Sequence, residues 1–233
     1  MLKVRNLVAR YGDFQALFGI DFDLKQRNIV ALIGANGAGK STFLKSIAGQ
    51  MPNKSGEIRF NSDEISGLPS DRIVRHGISM VPEGRRLFRS LSVEENLKVG
   101  SFAGRQGRWT LDAIYTLFPQ LRDKRYVPAT ALSGGQQQMV AIGRGLMSNP
   151  DLLMCDEVSL GLSPAVIKDI YKVFPLIRAE GLSLIVVEQD IDAALNISDH
   201  VYCFMHGKVT LHGAPNELTK ERISAAYFGL EAA

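Results

Sequence analysis

The run Gly34-Ala35-Asn36-Gly37-Ala38-Gly39-Lys40-Ser41 fits the pattern G-x-x-x-x-G-K-[ST], and Thr42 follows it directly. The chemistry open to such a run is phosphate binding. Its glycines let the backbone curl until the amides point at phosphate oxygens, and a helix opening at its end adds a positive pole. Lys40 can reach the outer phosphates, and Ser41 can offer a hydroxyl to Mg²⁺. The context agrees. Ile29-Val30-Ala31-Leu32-Ile33 is a β-branched apolar run, and Phe43, Leu44 and Ile47 then share a helical face that stops at Gly49. The ligand expected is a nucleoside triphosphate with magnesium.

Two further groups narrow what the phosphate is for. Leu132-Ser133-Gly134-Gly135-Gln136 precedes a helical pattern through Met139, Ile142 and Leu146 that ends at Asn149-Pro150. Ser133 can cap that helix, and the two glycines allow close approach of an anion to its amide end. Taken alone, such a start is an ordinary cap. Leu152-Leu153-Met154-Cys155 then reads as a buried strand ending in Asp156-Glu157. An Asp at a strand's carboxyl end can hold Mg²⁺ through water, and the adjacent Glu can polarise an attacking water.

In this order the groups resemble the ATP-binding cassette family, the ATPase subunits of membrane transporters, over nearly the whole chain. The resemblance implies adenine stacked on Tyr11, phosphates held by Gly34 to Thr42, and Mg²⁺ managed by Ser41, Glu83 and Asp156. It implies Glu157 as catalytic acid and Gln189 as γ-phosphate contact. It also implies that two cassettes close face to face, so that the signature Ser133, Gly134, Gly135 and Gln136 of one reaches ATP held by the other. Ser159-Leu160-Gly161-Leu162 falls at the family's inter-subunit loop.

Val81-Pro82-Glu83-Gly84-Arg85-Arg86-Leu87-Phe88, Val93-Glu94-Glu95-Asn96-Leu97 and Val187-Glu188-Gln189 look like the second ATPase subunit of branched-chain amino acid uptake systems. In that branch Glu replaces a coupling-loop Gln and Gln replaces a switch His, as Glu83 and Gln189 do here. Val158 departs from a usual Pro, and Arg27-Asn28 from a usual Gly-Glu turn. The partners so implied are transmembrane permease subunits, a second ATPase subunit or a copy of this chain, and indirectly a periplasmic or extracellular solute-binding protein. A urea or short-amide importer would share nearly every motif. A soluble cassette acting on ribosomes or DNA usually has two cassettes or a long coiled insert. The Leu-Ser-Gly-Gly-Gln helix argues against a P-loop kinase or GTPase, and no guanine-reading Asn-Lys-x-Asp occurs.

The elements positioning these groups follow from pattern. Residues 1 to 33 and 56 to 61 read as strands, with Ile20, Phe22 and Leu24 alternating. Ser92 with Glu95 is a capping box for a helix near Val93. Leu111, Ile114, Tyr115, Phe118 and Leu121 keep helical spacing, and Pro119 forces a kink or an early end. The segment 85–135 lacks strand signals and is expected to be a helical lobe. Val201 to Met205 and Val209 to Leu211, split by His206-Gly207, read as a terminal hairpin. The fold expected is one α/β domain over 1–233, a P-loop core with an antiparallel β edge and an inserted helical lobe.

A chain of 233 residues with 45% hydrophobic residues suits one such domain. No apolar run approaches the ~20 residues of a membrane helix, and no basic-then-apolar leader opens the chain. The expectation is a cytoplasmic protein, peripheral on the inner face of the membrane through its partners. A net charge of +3 is too diffuse to argue for nucleic acid. Cys155 and Cys203 sit in apolar runs and read as core residues. His76, His200, His206 and His212 show no pair at metal-site spacing and read as structural or exposed. Trp109 reads as a packing residue. The basic runs at 105–108 and 122–125 read as solvated faces.

Overall fold

A computed structural model describes residues 1–52 and 54–228. The chain opens with three strands, β1 (Leu2–Tyr11), β2 (Phe14–Leu24) and β3 (Ile29–Ile33), followed by helix α1 (Lys40–Ile47). Next come β4 (Lys54–Phe60), β5 (Asp63–Glu64), α2 (Ser70–Arg75) and β6 (Ile78–Val81). A helical stretch holds α3 (Val93–Val99), α4 (Leu111–Leu117) and α5 (Gly134–Leu146). The chain then runs through β7 (Leu152–Asp156), α6 (Pro164–Tyr171), α7 (Val173–Ala179), β8 (Ser183–Glu188) and α8 (Ile191–Ile197). It closes with β9 (His200–Met205), β10 (Lys208–Gly213) and α9 (Lys220–Phe228).

Two sheets result. One is four-stranded and antiparallel in the order β2-β1-β4-β5; the other is six-stranded in the order β10-β9-β3-β8-β7-β6. In the second, β9, β3, β8, β7 and β6 are parallel, and only β10 runs against its neighbour. Residues of β3, β7 and β8 are buried throughout, as a parallel sheet covered on both faces requires. One apolar cluster, around Phe22, Phe43, Phe60 and Phe204, joins the antiparallel sheet to α1 and the parallel sheet. A second, around Trp109, Ile142 and Phe174, joins the other face to α3, α5 and α7.

Local rules explain the boundaries. Ser92 and Glu95 make a complete capping box at α3, and Ser133 and Gln136 make another at α5. Helix α4 stops before Pro119, and a short 3₁₀ turn continues to Leu121. Between β6 and α5 the described residues form helices and loops, with one isolated bridge between Ser92 and Pro128. Arg27 stands in the left-handed region at φ 60° and donates its amide to Ser183 Oγ. A residue with a side chain is strained in that region, so the turn before β3 carries backbone strain. Val158 is 1% exposed and packs in the second cluster.

The reading of basic runs as solvated faces fails at Arg105, while Arg108 stays half exposed. Arg105 donates to Asn149 O (2.9 Å) and Arg75 O (3.1 Å) and pairs with Asp151 (2.8 Å), while Arg108 pairs with Glu180. Arg105 thus ties the helical stretch to the end of α2 and to the turn before β7, and Arg108 reaches the end of α7. The histidines also hold a surprise. His200 and His212 face each other across the terminal hairpin with ring nitrogens 3.2 Å apart, against the Tyr202 ring. Cys155 and Cys203 are buried free thiols, and Trp109 is buried, as expected.

Candidate nucleotide site

Strands β3, β7 and β8 end at one edge of the parallel sheet. Ile33 lies beside Glu188, and Asp156 lies beside Val187. The loop 34–39, the pair Asp156-Glu157 and Gln189 therefore meet at the carboxyl ends of adjacent strands, where open α/β sheets bind ligands. Gly34 has φ 150°, and any β-carbon there would collide with the Phe204 carbonyl. The loop can leave β3 only because this residue lacks a side chain.

A cavity of about 690 Å³ opens at this edge. Tyr11, Asn36 to Thr42, Glu83, Glu157 and Gln189 all line it. Tyr11 is 47% exposed, and its hydroxyl lies 3.3 Å from Thr42 Oγ1. Lys40 Nζ, buried, donates to the carbonyls of Gly34 (2.6 Å) and Ala35 (2.9 Å) and lies 4.0 Å from Glu157 Oε1. Burial pushes the Lys40 pKa down, while Glu157 and Asp156 oppose the shift. Ser41 Oγ donates to Asp156 Oδ1 at 3.0 Å. Burial holds the Asp156 carboxyl above its ordinary range; the Ser41 bond opposes this, and Glu157 and Glu83 add to it. Gln189 Nε2 donates both to Glu157 Oε2 (2.9 Å) and to Asn36 Oδ1 (3.1 Å). Its amide thus bridges the acid and the glycine loop.

The signature residues stand apart from this cavity. Ser133 Oγ and Gln136 cap α5 reciprocally, and Lys124 Nζ reaches Gln136 Oε1 at 3.1 Å. Gly134 and Gly135 begin the helix, with the Arg85 guanidinium against the first and Val166 against the second. Within one chain, Ser133 to Gln136 do not join the other predicted residues.

Residue patterns missed Phe14, Phe18 and His206, which also line the cavity, as does Leu160 of the loop 159–162. Phe14 is 70% and Phe18 45% exposed. The alternation of Ile20, Phe22 and Leu24 carried backwards would turn Phe18 and Phe14 inward. Instead Val8 pairs with Phe18 while Leu7 pairs with Ile20, so Gly19 is the extra residue of a bulge. Its φ of 77° suits glycine, and the bulge turns Phe18 to the other face, while a further shift between Ala9 and Arg10 resets the register before Phe14. The glycine was visible; its consequence for the register needed the pairing.

A model of the family described as ABC transporter matches residues 17–159. The chain belongs to the ABC transporter family. It is a nucleotide-binding ATPase cassette of that family. BraG of Pseudomonas aeruginosa, a high-affinity branched-chain amino acid transport ATP-binding protein, is 42% identical over 98% of this chain and 100% of its own length. LivF of Archaeoglobus fulgidus, a probable branched-chain amino acid transport ATP-binding protein, is 37% identical over 94% of both chains. Among solved structures the cassette MJ1267 superposes with TM-score 0.87 at 25% identity, covering 100% of this chain and 99% of its own. No helix of the described residues is long and apolar enough to cross a membrane.

Proposed function

We propose that this cassette is the ATP-hydrolysing subunit of a membrane importer for branched-chain amino acids. The observation that carries the chemistry is Glu157, at the end of β7, with Lys40 4.0 Å from one oxygen and Gln189 bonded to the other. What supports the solute is the full-length likeness to two relatives named for branched-chain amino acids.

In this reading Tyr11 stacks on the base, with Phe14 and Phe18 extending the apolar wall. Stacking tolerates any purine, so the base itself is weakly discriminated. Loop amides of 34–39 and Lys40 hold the phosphates. The donors Ser41, Glu83 and Asp156 are hard oxygens, and the Ser41–Asp156 contact already brings two together, so the set fits Mg²⁺. Bound there, the ion would neutralise phosphate charge. Glu157 takes the proton of the attacking water, and Gln189 orients Glu157 and contacts the outer phosphate. Ser133 to Gln136, at the start of α5 with Ser133 exposed, serve the nucleotide of a second ATPase subunit across a face-to-face pair. Phe88 (50% exposed) and Phe102 (88% exposed) offer apolar surface on the helical side to transmembrane permease subunits. The protein then sits at the inner membrane face, and a solute-binding protein delivers the amino acid from outside.

Glu157→Gln is expected to keep ATP affinity while lowering turnover by a factor of about a hundred or more, because an amide cannot take the water's proton. Equilibrium binding and single-turnover hydrolysis decide this; wild-type turnover would reject the assignment. Uptake of leucine, isoleucine and valine by cells lacking the chain tests the solute, with urea uptake as the competing outcome.

A further inference from the structure

We propose that Glu188 is a positioning residue that fixes the turn carrying Glu157 to the end of β8, a role resting on the ATPase reading of the same site. Glu188 is 1% exposed at the last position of β8. Its neighbour Gln189 enters the nucleotide cavity, whereas Glu188 points away from it, as successive strand residues do. Glu188 Oε2 accepts a hydrogen bond from Ser159 Oγ at 2.6 Å.

Ser159 lies in the turn that follows the catalytic acid. The Leu160 amide donates to Glu157 O at 3.2 Å, and the Leu162 amide donates to Ser159 O at 3.1 Å. Glu157 itself has φ 49°. A residue with a side chain pays about 1–2 kcal/mol in that region and stays there only where its surroundings over-determine it. The adjacent residues of one strand end therefore hold the acid at two places. Gln189 grips its carboxylate, and Glu188 grips its backbone through Ser159.

Packing alone does not account for a carboxylate at this position. A buried carboxylate with an unmet oxygen is less stable than an apolar side chain of the same size. Glu188 Oε1 and the Tyr171 hydroxyl at the end of α6 are both buried, and neither makes a well-aligned hydrogen bond, although each lies within reach of the other. Tyr171 also feels the Glu188 charge. The carboxylate thus bonds the turn on one side and faces the helix that follows the turn on the other.

The test uses the full chain with Ser159→Ala, Glu188→Gln and the double variant. Steady-state hydrolysis gives kcat and KM for ATP, and hydrogen exchange follows the Leu160 and Leu162 amides. Each single variant is expected to lower kcat on the order of tenfold, with KM within about twofold and the double no worse than the poorer single. Exchange at both amides should quicken by about tenfold or more. The proposal is overturned by an unchanged kcat in Ser159→Ala, by a KM rising in step with the loss, or by losses that multiply in the double. Should Glu188→Gln not fold, Ser159→Ala alone supplies both readouts. A wild-type chain that hydrolyses no ATP would reject the ATPase reading instead, and unchanged exchange at Leu160 and Leu162 would still overturn the role of Glu188.

Discussion

Gln189 makes its two contacts through one amide nitrogen, to Glu157 and to Asn36. An amide offers a donor but cannot change charge. Hydrolysis should therefore show no pH limb owed to this position. Gln189→Ala removes the bridge and should lose most activity. Gln189→His should remain active and gain a limb between about pH 6 and 7, near an unperturbed imidazole. Three pH–rate profiles measured side by side check this, and identical profiles would show that the side chain does not touch the reaction. The His200–His212 contact has a pH consequence of its own. Burial, and secondarily His212, push the His200 pKa down, with Lys25 acting the same way and Glu217 opposing. The unfolded chain then binds more protons than the folded chain below the ordinary imidazole value of ~6.5. Stability from this group is complete above that value and is lost as pH falls through the folded pKa. Acidification from about pH 7 to about pH 5 should lower the wild-type melting temperature more steeply than that of His200→Gln.

Among the elements, α5 packs closely on α3 and α4. A β-carbon at Gly143 would stand 2.7 Å from Leu97 Cδ2 and 2.9 Å from Ile114 Cγ2. Both neighbours are fully buried, so they cannot swing aside. Alanine gains about 1 kcal/mol in helix propensity over glycine, while overpacking costs about 1–3 kcal/mol. Gly143→Ala should therefore be destabilising, and the urea midpoint measures it. The same helix sends Arg144 to the carbonyls of Arg85 (2.9 Å) and Arg86 (2.8 Å), both at positive φ, so a strained loop rides on α5. How far such elements could be read in advance depended on their range. The caps at Ser92 and Ser133, the stop at Pro119 and the strand ends at Ile33 and Asp156 rest on neighbours in sequence, and residue types alone disclosed them. The bulge at Gly19, the ties of Arg105 to residues 75, 149 and 151, and the meeting of His200 with His212 depend on pairings between distant segments, which no local pattern carries.

At the scale of the molecule, the strand leading into the glycine loop is flanked by β8 and β9, not by any early strand. Ile29 to Ile33 pair with residues 184–188 on one side, and Val30 to Ile33 with residues 200–203 on the other. During synthesis the loop is therefore made long before anything can hold its strand in the sheet. At bacterial-type translation speeds the interval is on the order of ten seconds. Over that time the β-branched run 29–33 is an unpaired edge, a hazard for a nascent chain. The antiparallel strands β1, β2, β4 and β5 need nothing beyond residue 64 to pair with one another. Ribosome-bound chains halted before Ser183 should accordingly bind no nucleotide and remain open to protease near the loop. Chains with β9 fully outside the exit tunnel should acquire nucleotide-dependent protection in one step. The birth order of its strands thus makes ATP binding a late checkpoint in the life of this protein, a report that its last third has arrived.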